Sequence, residues 1–356
     1  MKQVSIKKAF SAWESIQPIS DKDRERLSRR FTIDYNYNSN HIEGNTLTYG
    51  QTEILLLFGK VVGEATVRDI QEMTASNVGL KMMTEEATMH NMPLTQSFIR
   101  TLHQTILRED YTVCHQLPGC VQSSYTVHAG QYKTRPNSVI TRYGNRFDYA
   151  SPEETPALMT DLVNWYNAAE EAGLLSPIEL AALFHYRYIR IHPFEDGNGR
   201  IARLMVNYIL AKHGLPMIVI RSRKKQDYLD ALHQTDIHIG LTPGDGAHAE
   251  LKDIAPFLQY FQGLVATEVY NDYLFVTKRD ENIWWYDGEM IEFRTPNYAT
   301  LLRLMQTRPS LTLEEMQEEV GISMTAVRKL VKQMTEKNYI ERQQNGSWRV
   351  IITPSN

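Results

Sequence analysis

The sequence predicts a mainly α protein. A helical core is interrupted by one small β-hairpin and followed by a separate C-terminal module of helices and a second hairpin. Three observations lead there. Apolar residues recur at helical spacing through most of the chain, as in Ile178, Ala181, Ala182, Phe184 and Ile189. Between Tyr125 and Tyr149 the texture changes to short β-prone runs around Pro136-Asn137. Beyond residue 295 come helix caps, a tight-turn glycine and two β-prone runs around Gln344-Asn345-Gly346.

In chain order, residues 1–92 read as several helices with polar connections. Helical patterns continue over Leu94–Leu107 and Pro156–Ala172. Between them, Gly130–Thr134 and Ser138–Thr141 read as two short strands of a hairpin. Ser176-Pro177 is an N-cap with proline at the first helical position, opening a helix that runs to about Ile191. Pro193 biases His192 away from the helical region, so the helix stops there. Another helix is expected from near Arg200 to His213, with Gly214 suited to its C-cap and Pro216 barring continuation. The basic run Arg221–Lys225 reads as a solvated loop, ahead of a helix over Gln226–Leu232. Leu241–Gly246 is turn-rich, and a helix from Ile254 to about Tyr270 closes the core. The expected organisation is residues 1–92, a core over 93–270, a connector over 271–294 and a C-terminal module over 295–356.

That module carries a helix over Tyr298–Met305 and a second over Leu313–Val320. The second is opened by Thr312 with Glu315 three residues on, a capping box. Gly321 supplies the turn, Ser323 caps a third helix to about Lys337, and Tyr339–Arg342 and Trp348–Ile352 are the strands. The arrangement resembles a winged helix-turn-helix. Arg328, Lys329, Lys332 and Lys337 on its third helix suit DNA phosphates, but Glu314, Glu315, Glu318 and Glu319 oppose them. Contact with protein is therefore favoured over DNA.

Composition excludes several classes. A chain of 356 residues supports two or three domains with ample cores. A net charge of −4 gives no push toward nucleic acid or anionic membrane. No segment is apolar enough to span a bilayer, and no hydrophobic run follows Met1–Phe10 as a secretory signal would require. Cys114 and Cys120 fit neither a zinc site nor a disulfide framework, so they read as reduced thiols of a cytoplasmic protein. No G-x-x-x-x-G-K-S/T loop occurs.

The chemistry concentrates in His192-Pro193-Phe194-Glu195-Asp196-Gly197-Asn198-Gly199-Arg200-Ile201-Ala202-Arg203. Gly197 and Gly199 allow a tight loop whose amides can point at an anion, and that loop feeds a helix N-terminus, a natural phosphate site. Arg200 and Arg203 share a helix face and suit phosphate oxygens. Asp196 is a hard oxygen ligand of the kind Mg²⁺ takes beside phosphates. His192 has the intrinsic pKa to accept a proton from a hydroxyl.

This segment resembles the signature of the Fic family, H-P-F-x-D/E-G-N-G-R-x-x-R, at every specified position. The resemblance implies an α-helical core and transfer of AMP from ATP to a Ser, Thr or Tyr hydroxyl of a protein, with release of pyrophosphate. It implies His192 as the base and Asp196 as the Mg²⁺ ligand. Gly197, Asn198 and Gly199 would form the anion hole, with Asn198 as an added donor. Arg200 and Arg203 would meet the phosphates, the latter the γ-phosphate, and Phe194 would be a buried anchor. It also implies that the hairpin ahead of the motif is a flap that recruits the target by strand addition. Tyr228 is the candidate to stack on the adenine.

Ser39-Asn40-His41-Ile42-Glu43-Gly44 is by itself a helix end with a glycine cap. It also matches the family's inhibitory pattern, S/T-x-x-x-E-G/N, which implies that Glu43 pairs with Arg203 and occupies donors the γ-phosphate requires. The expected partners are ATP and a target protein, and the sequence leaves association into a homodimer open. Two alternatives stand beside the self-inhibited adenylyltransferase. One is a Fic-fold enzyme that removes AMP or transfers another nucleotide. The other is a DNA-binding regulator whose Fic domain senses a nucleotide, which the intact His192 and Asp196 disfavour.

Overall fold

Capping residues set most element boundaries in the computed structural model, which describes residues 4–89, 92–117, 121–140 and 146–352. The chain opens with helices α1 (Ile6–Glu14), α2 (Asp21–Ile42), α3 (Tyr49–Phe58), α4 (Val67–Ala87) and α5 (Gln96–Leu107). Two hairpins follow, β1 (Tyr111–Leu117) with β2 (Val121–Val127) and β3 (Ser138–Ile140) with β4 (Arg146–Asp148). Then come α6 (Thr155–Ala172), α7 (Pro177–Ile191), α8 (Asn198–Lys212), α9 (Lys225–Ile239), α10 (Pro243–Ala247) and α11 (Ala255–Thr277). The chain ends with hairpin β5 (Ile283–Tyr286)–β6 (Glu289–Glu292), helices α12 (Pro296–Thr307), α13 (Leu313–Val320) and α14 (Met324–Glu336), and hairpin β7 (Ile340–Arg342)–β8 (Trp348–Val350). The fold is mainly helical with small two-stranded hairpins.

The chain divides into two compact units. One comprises Met1–Phe10, Tyr35–Leu47 and Ala65–Val269; the other comprises Ser11–Asp34, Thr48–Glu64 and Tyr270–Asn356. In the first, α7 and α8 form the centre. Almost every side chain from Leu180 to Ile191 and from Arg200 to Leu210 is buried, the signature of helices enclosed on all sides. α6, α8 and α10 pack on α7, while α4 and α5 pack on α8. Ser176 opens α7 through a capping box with Glu179. α8 begins at Asn198, two residues before the expected start, because Gly197 takes φ +76° as its cap.

The second unit has its own core, in which Ala299, Leu302 and Met305 of α12 meet Met316, Val327, Val331, Met334 and Ile340. Thr312 caps α13 in a capping box with Glu315, Gly321 ends it at φ +69°, and Ser323 caps α14. Trp284 and Phe293 join the same core from the β5–β6 hairpin, which falls where only a connector was expected. Its turn is Asp287-Gly288, with φ +46° and +73°, the left-handed pair that closes two-residue hairpins.

The hairpin expected near residues 130–141 needs correction. Gly130–Thr134 is not a strand; Ser138–Ile140 pairs instead with Arg146–Asp148, in the register Ser138↔Asp148 and Val139↔Phe147. The backbone at 130–134 is committed elsewhere. Gly130 N–H donates to His103 Nδ1 at 2.8 Å, and Lys133 N–H donates to the Pro193 carbonyl at 2.9 Å. Thr141, the expected end of the second strand, lies outside the described residues. The β1–β2 hairpin was not anticipated.

Close packing in the first unit yields a test. A Cβ on Gly79 of α4 would lie 2.8 Å from Ile106 Cγ2 and 3.8 Å from Leu204 Cδ1. Relief of glycine's helical penalty is worth about 1 kcal/mol, whereas overpacking a rigid core costs about 1–3 kcal/mol. Gly79→Ala is therefore expected to lower the urea midpoint by the equivalent of about 1 kcal/mol. A raised midpoint would show that Ile106 yields freely.

Candidate active site

The twelve-residue motif forms the end of α7, a tight turn and the start of α8. His192 follows α7 in a left-handed conformation, φ +51°, rather than the extended one its proline neighbour favours. Its N–H still donates to the Tyr188 carbonyl at 2.9 Å. Such a strained residue persists only where its surroundings over-determine it. Here the restraint comes largely from Lys133. Its buried ammonium donates to Asn137 Oδ1 at 2.8 Å, to the Ile191 carbonyl at 3.1 Å and to the His192 carbonyl at 2.9 Å. Three acceptors match the three hydrogens of a charged amine. Burial opposes that charge and pushes the Lys133 pKa down to about 7.

The turn is closed around Phe194. Asn198 Oδ1 accepts from Phe194 N–H at 2.9 Å, and its amide donates back to the Phe194 carbonyl at 2.7 Å. The Asn137 amide donates to the same carbonyl at 3.0 Å. The fully buried Phe194 ring stacks on His103, with centroids 3.7 Å apart and planes 6° apart. Because His103 Nδ1 accepts from Gly130 N–H, its Nε2 carries the proton and donates to the Asp196 carbonyl at 2.9 Å. Burial holds the His103 pKa down, at about 4, so this neutral tautomer persists at neutral pH.

Asp196 lies next in the turn. Its Oδ1 accepts from Gly197 N–H at 2.6 Å, and its Oδ2 accepts from the Tyr111 hydroxyl and lies 3.4 Å from Arg200 Nη2. Burial works to raise the carboxyl pKa, but the Arg200 charge and these donors outweigh it, so Asp196 stays ionised. Arg200 and Arg203 both project from the first turns of α8 and are buried.

Arg203 meets the end of α2. Its Nε donates to Ser39 Oγ at 3.0 Å, and its Nη2 donates to the Ser39 carbonyl at 2.9 Å and to Glu43 Oε1 at 2.6 Å. The guanidinium is 3% exposed and the Glu43 side chain 37%. Burial alone would raise the Glu43 pKa, but the charge and hydrogen bond of Arg203, helped by Arg200, bring it below the ordinary glutamate value. Lys225 supports this helix end by donating to the Ile42 carbonyl at 2.6 Å. Gly199 is small for a reason: a Cβ there would lie 2.6 Å from Glu43 Oε1 and 2.9 Å from Arg203 Nη1.

Two side chains occupy settings other than those expected. Asn198, proposed as a donor to an anion, is buried and commits its side-chain oxygen and one amide hydrogen to Phe194. Tyr228, expected to offer a ring to adenine, is 3% exposed; its hydroxyl meets His185 Nε2 at 3.0 Å and its ring lies against Phe257. In the basic run Arg221 is buried against Glu268, with Nε 3.1 Å from Oε1, while Arg223, Lys224 and Lys225 are exposed, as expected of a solvated segment. Cys114 is an exposed free thiol, and Cys120 lies outside the described residues.

Lys133, Asn137, His103 and Tyr111 escaped the sequence reading, as did Tyr149, whose ring stacks on His192 at 3.9 Å. Local spacing carries no signal for them, because each acts on a segment remote in sequence.

His192 is half-buried and its pKa is pushed down to about 3, first by burial and then by the Lys133 charge. The ring is thus a neutral proton acceptor at neutral pH, beside two buried arginines and an ionised aspartate at a helix N-terminus. Among the described residues no helix is long and apolar enough to cross a membrane.

Comparison with known proteins bears on this geometry. The sequence pattern of the Fic/DOC family matches residues 93–210. The protein adenylyltransferase fic-1 of Caenorhabditis elegans is 30% identical over 235 residues, which is 66% of this chain and 40% of that protein. The chain thus spans about two fifths of the length of that curated relative. A Fic-domain-containing signaling protein from Bacteroides thetaiotaomicron has a solved structure with 52% identity and a TM-score of 0.71. The match covers 77% of this chain and 97% of that one. A Fic family protein from Desulfovibrio desulfuricans, 20% identical with a TM-score of 0.56 over 99% of this chain and 97% of its own, shares the fold alone. From the match to the Bacteroides protein over nearly its whole length, and the motif carried on the α7–α8 turn, the chain belongs to the Fic/DOC family and is a distant homologue of Fic adenylyltransferases.

Proposed function

We propose that this protein is a self-inhibited protein adenylyltransferase. It moves AMP from ATP to a Ser, Thr or Tyr hydroxyl of a protein and releases pyrophosphate. The observation that supports this best is a neutral His192 sharing one turn with Asp196, Arg200 and Arg203, while Glu43 holds Arg203. In the reaction the target oxygen forms a bond to the α-phosphorus, and the bond to the bridging oxygen of pyrophosphate breaks. The hydroxyl proton passes to the His192 ring, and the electron pair leaves with pyrophosphate. Arg200, Arg203 and the free N–H groups at the start of α8 stabilise the charge on the phosphates.

Asp196 fits a divalent cation as a single hard oxygen donor. Among the described residues no cluster of three ligating side chains occurs, so Mg²⁺ would take its other ligands from phosphate and water. When bound it would neutralise charge on the phosphates. The Tyr111 hydroxyl would then yield or share Oδ2.

Glu43 acts by competition, since Arg203 cannot give the same donors to Glu43 and to a γ-phosphate. Incubation with ATP labelled at the α-phosphate should label protein, and the γ-label should not be retained. His192→Ala should bind ATP yet lose transfer by roughly 10²–10⁴-fold. Retention of γ-label would mean kinase chemistry and sink the reading.

Freeing Arg203 is worth about one charge-assisted hydrogen bond, so Glu43→Gly should raise transfer roughly 10- to 100-fold. Adding Arg203→Ala should abolish that gain. The sign of the pH effect follows from the lowered Glu43 pKa. The pair is intact above the ordinary glutamate range and is lost only as pH falls through the lowered value, so mild acid should not activate the wild-type chain. Because His192 titrates at about 3, the Glu43→Gly enzyme should show no acid limb near the ordinary histidine pKa when assayed between about pH 5.5 and 8. An activity loss centred near about 6.5 would place the base in an ordinary histidine environment.

Lys133 positions the base without touching the substrate. In the Glu43→Gly background, Lys133→Met should lower kcat by roughly 10- to 100-fold with little change in KM for ATP, as misplacement by about an ångström does. A rise in KM alone would assign Lys133 to nucleotide binding.

A further inference from the structure

The second unit contains a cavity of about 260 Å³, lined by residues that take no part in the proposed chemistry. Its walls come from the first turns of α2, the segment after α11, β5 and α12. Lys22, Arg26, Lys278, Arg279 and Arg303 line it, against one carboxylate, Asp280. Asp23, just outside the lining, pairs with Arg26 at 3.0 Å and with Arg279 at 2.7 Å. Among the described residues the other three cations, Lys22, Lys278 and Arg303, make no ion pair, although the charge of Glu281 acts on Arg303. Arg303 spends one Nη2 hydrogen bond on the Ile283 carbonyl at 2.8 Å, and partial withdrawal from water lowers its pKa. A cation with no ion pair of its own gains from a nearby anion. Trp285 supplies an apolar ring to the lining, and its indole N–H is sealed without an acceptor.

We propose that this cavity binds a small molecule carrying a phosphate monoester dianion. Lys22, Lys278 and Arg303, none of them in an ion pair among the described residues, supply the charge, and the planar fork of Arg303 suits phosphate oxygens. The volume exceeds what one phosphate group needs, and the Trp285 ring gives the organic portion a wall to pack on. A volume of about 260 Å³ takes a small ligand rather than a length of nucleic-acid backbone, which follows an extended groove.

The test uses ribose 5-phosphate, inorganic phosphate and ribose in calorimetric titrations of the full chain at low salt. The full chain also carries Arg200→Met, which silences the phosphate site on α8. Ribose 5-phosphate should bind with a dissociation constant on the order of 1 mM or tighter, inorganic phosphate more weakly, and ribose not at all. Binding should fade with salt. Lys22→Met with Lys278→Met changes two exposed side chains, so the fold is spared, and should weaken binding by roughly tenfold or more. Arg303→Met should do the same. The proposal is overturned if ribose 5-phosphate does not bind, if the Lys22 and Lys278 variants leave its affinity unchanged, or if a short DNA duplex binds through the same residues far more tightly than the sugar phosphate.

Discussion

The closed turn around Phe194 is the constraint on which the rest of the site depends. Phe194 offers both backbone polar groups to Asn198, and its ring is fixed on His103. With that loop immobile, the direction of α8 is set, and with it the placement of Arg200 and Arg203. The same closure drives His192 into a left-handed conformation at the end of α7. Lys133 holds it there by satisfying the carbonyls of Ile191 and His192. An ammonium is suited to this task because it serves several acceptors from one point, whereas a backbone N–H serves one. The residues before β3 thus forgo a ladder in order to brace the loop, and Gly130 and Lys133 show what their N–H groups do instead.

Electrostatics in the site follow from burial. Desolvation pushes His192 and His103 toward the neutral form, while Asp196 and Glu43 remain charged because arginines lie beside them. Neutral imidazole beside ionised carboxylate is the pairing that proton acceptance and cation binding require at one pH. No single residue sets this. Lys133 both fixes the His192 backbone and depresses its pKa, so geometry and basicity are coupled through one side chain.

The legible parts of the sequence were those with local causes. Thr312 with Glu315, Gly321 and Ser323 end and begin helices through contacts a few residues away, and they lie where the spacing put them. Ser176, Pro177 and Glu179 do the same for α7. The Asp287-Gly288 turn, flanked by Trp284, Trp285, Met290 and Ile291, has an equally local cause, and the hairpin it closes stands where a connector was expected. The strand expected at Gly130–Thr134 failed for a physical reason, since its backbone donors serve partners far away in sequence. Tyr228 was assigned from its position after the motif, but the aromatic cluster of His185 and Phe257 encloses it. Glu43 and Arg203 are 160 residues apart, and no periodicity links them. Only the resemblance to a known pattern brought them together.

The environment of Arg203 bears on how firmly Glu43 is held. A guanidinium 3% exposed cannot be left without an anion at small cost. Ser39 supplies two neutral acceptors, but only Glu43 supplies charge. On the proposed reading, the resting site keeps its arginine paired with a carboxylate, and a γ-phosphate replaces that carboxylate. The exchange conserves the ion pair, so its free-energy difference is much smaller than the strength of either pair. Small changes at the end of α2 can therefore shift the balance. Gly199 fits the same picture, because its missing Cβ leaves space beside Arg203 Nη1 for whichever anion is there. A side chain at that position would crowd carboxylate and phosphate alike, and so could not choose between them.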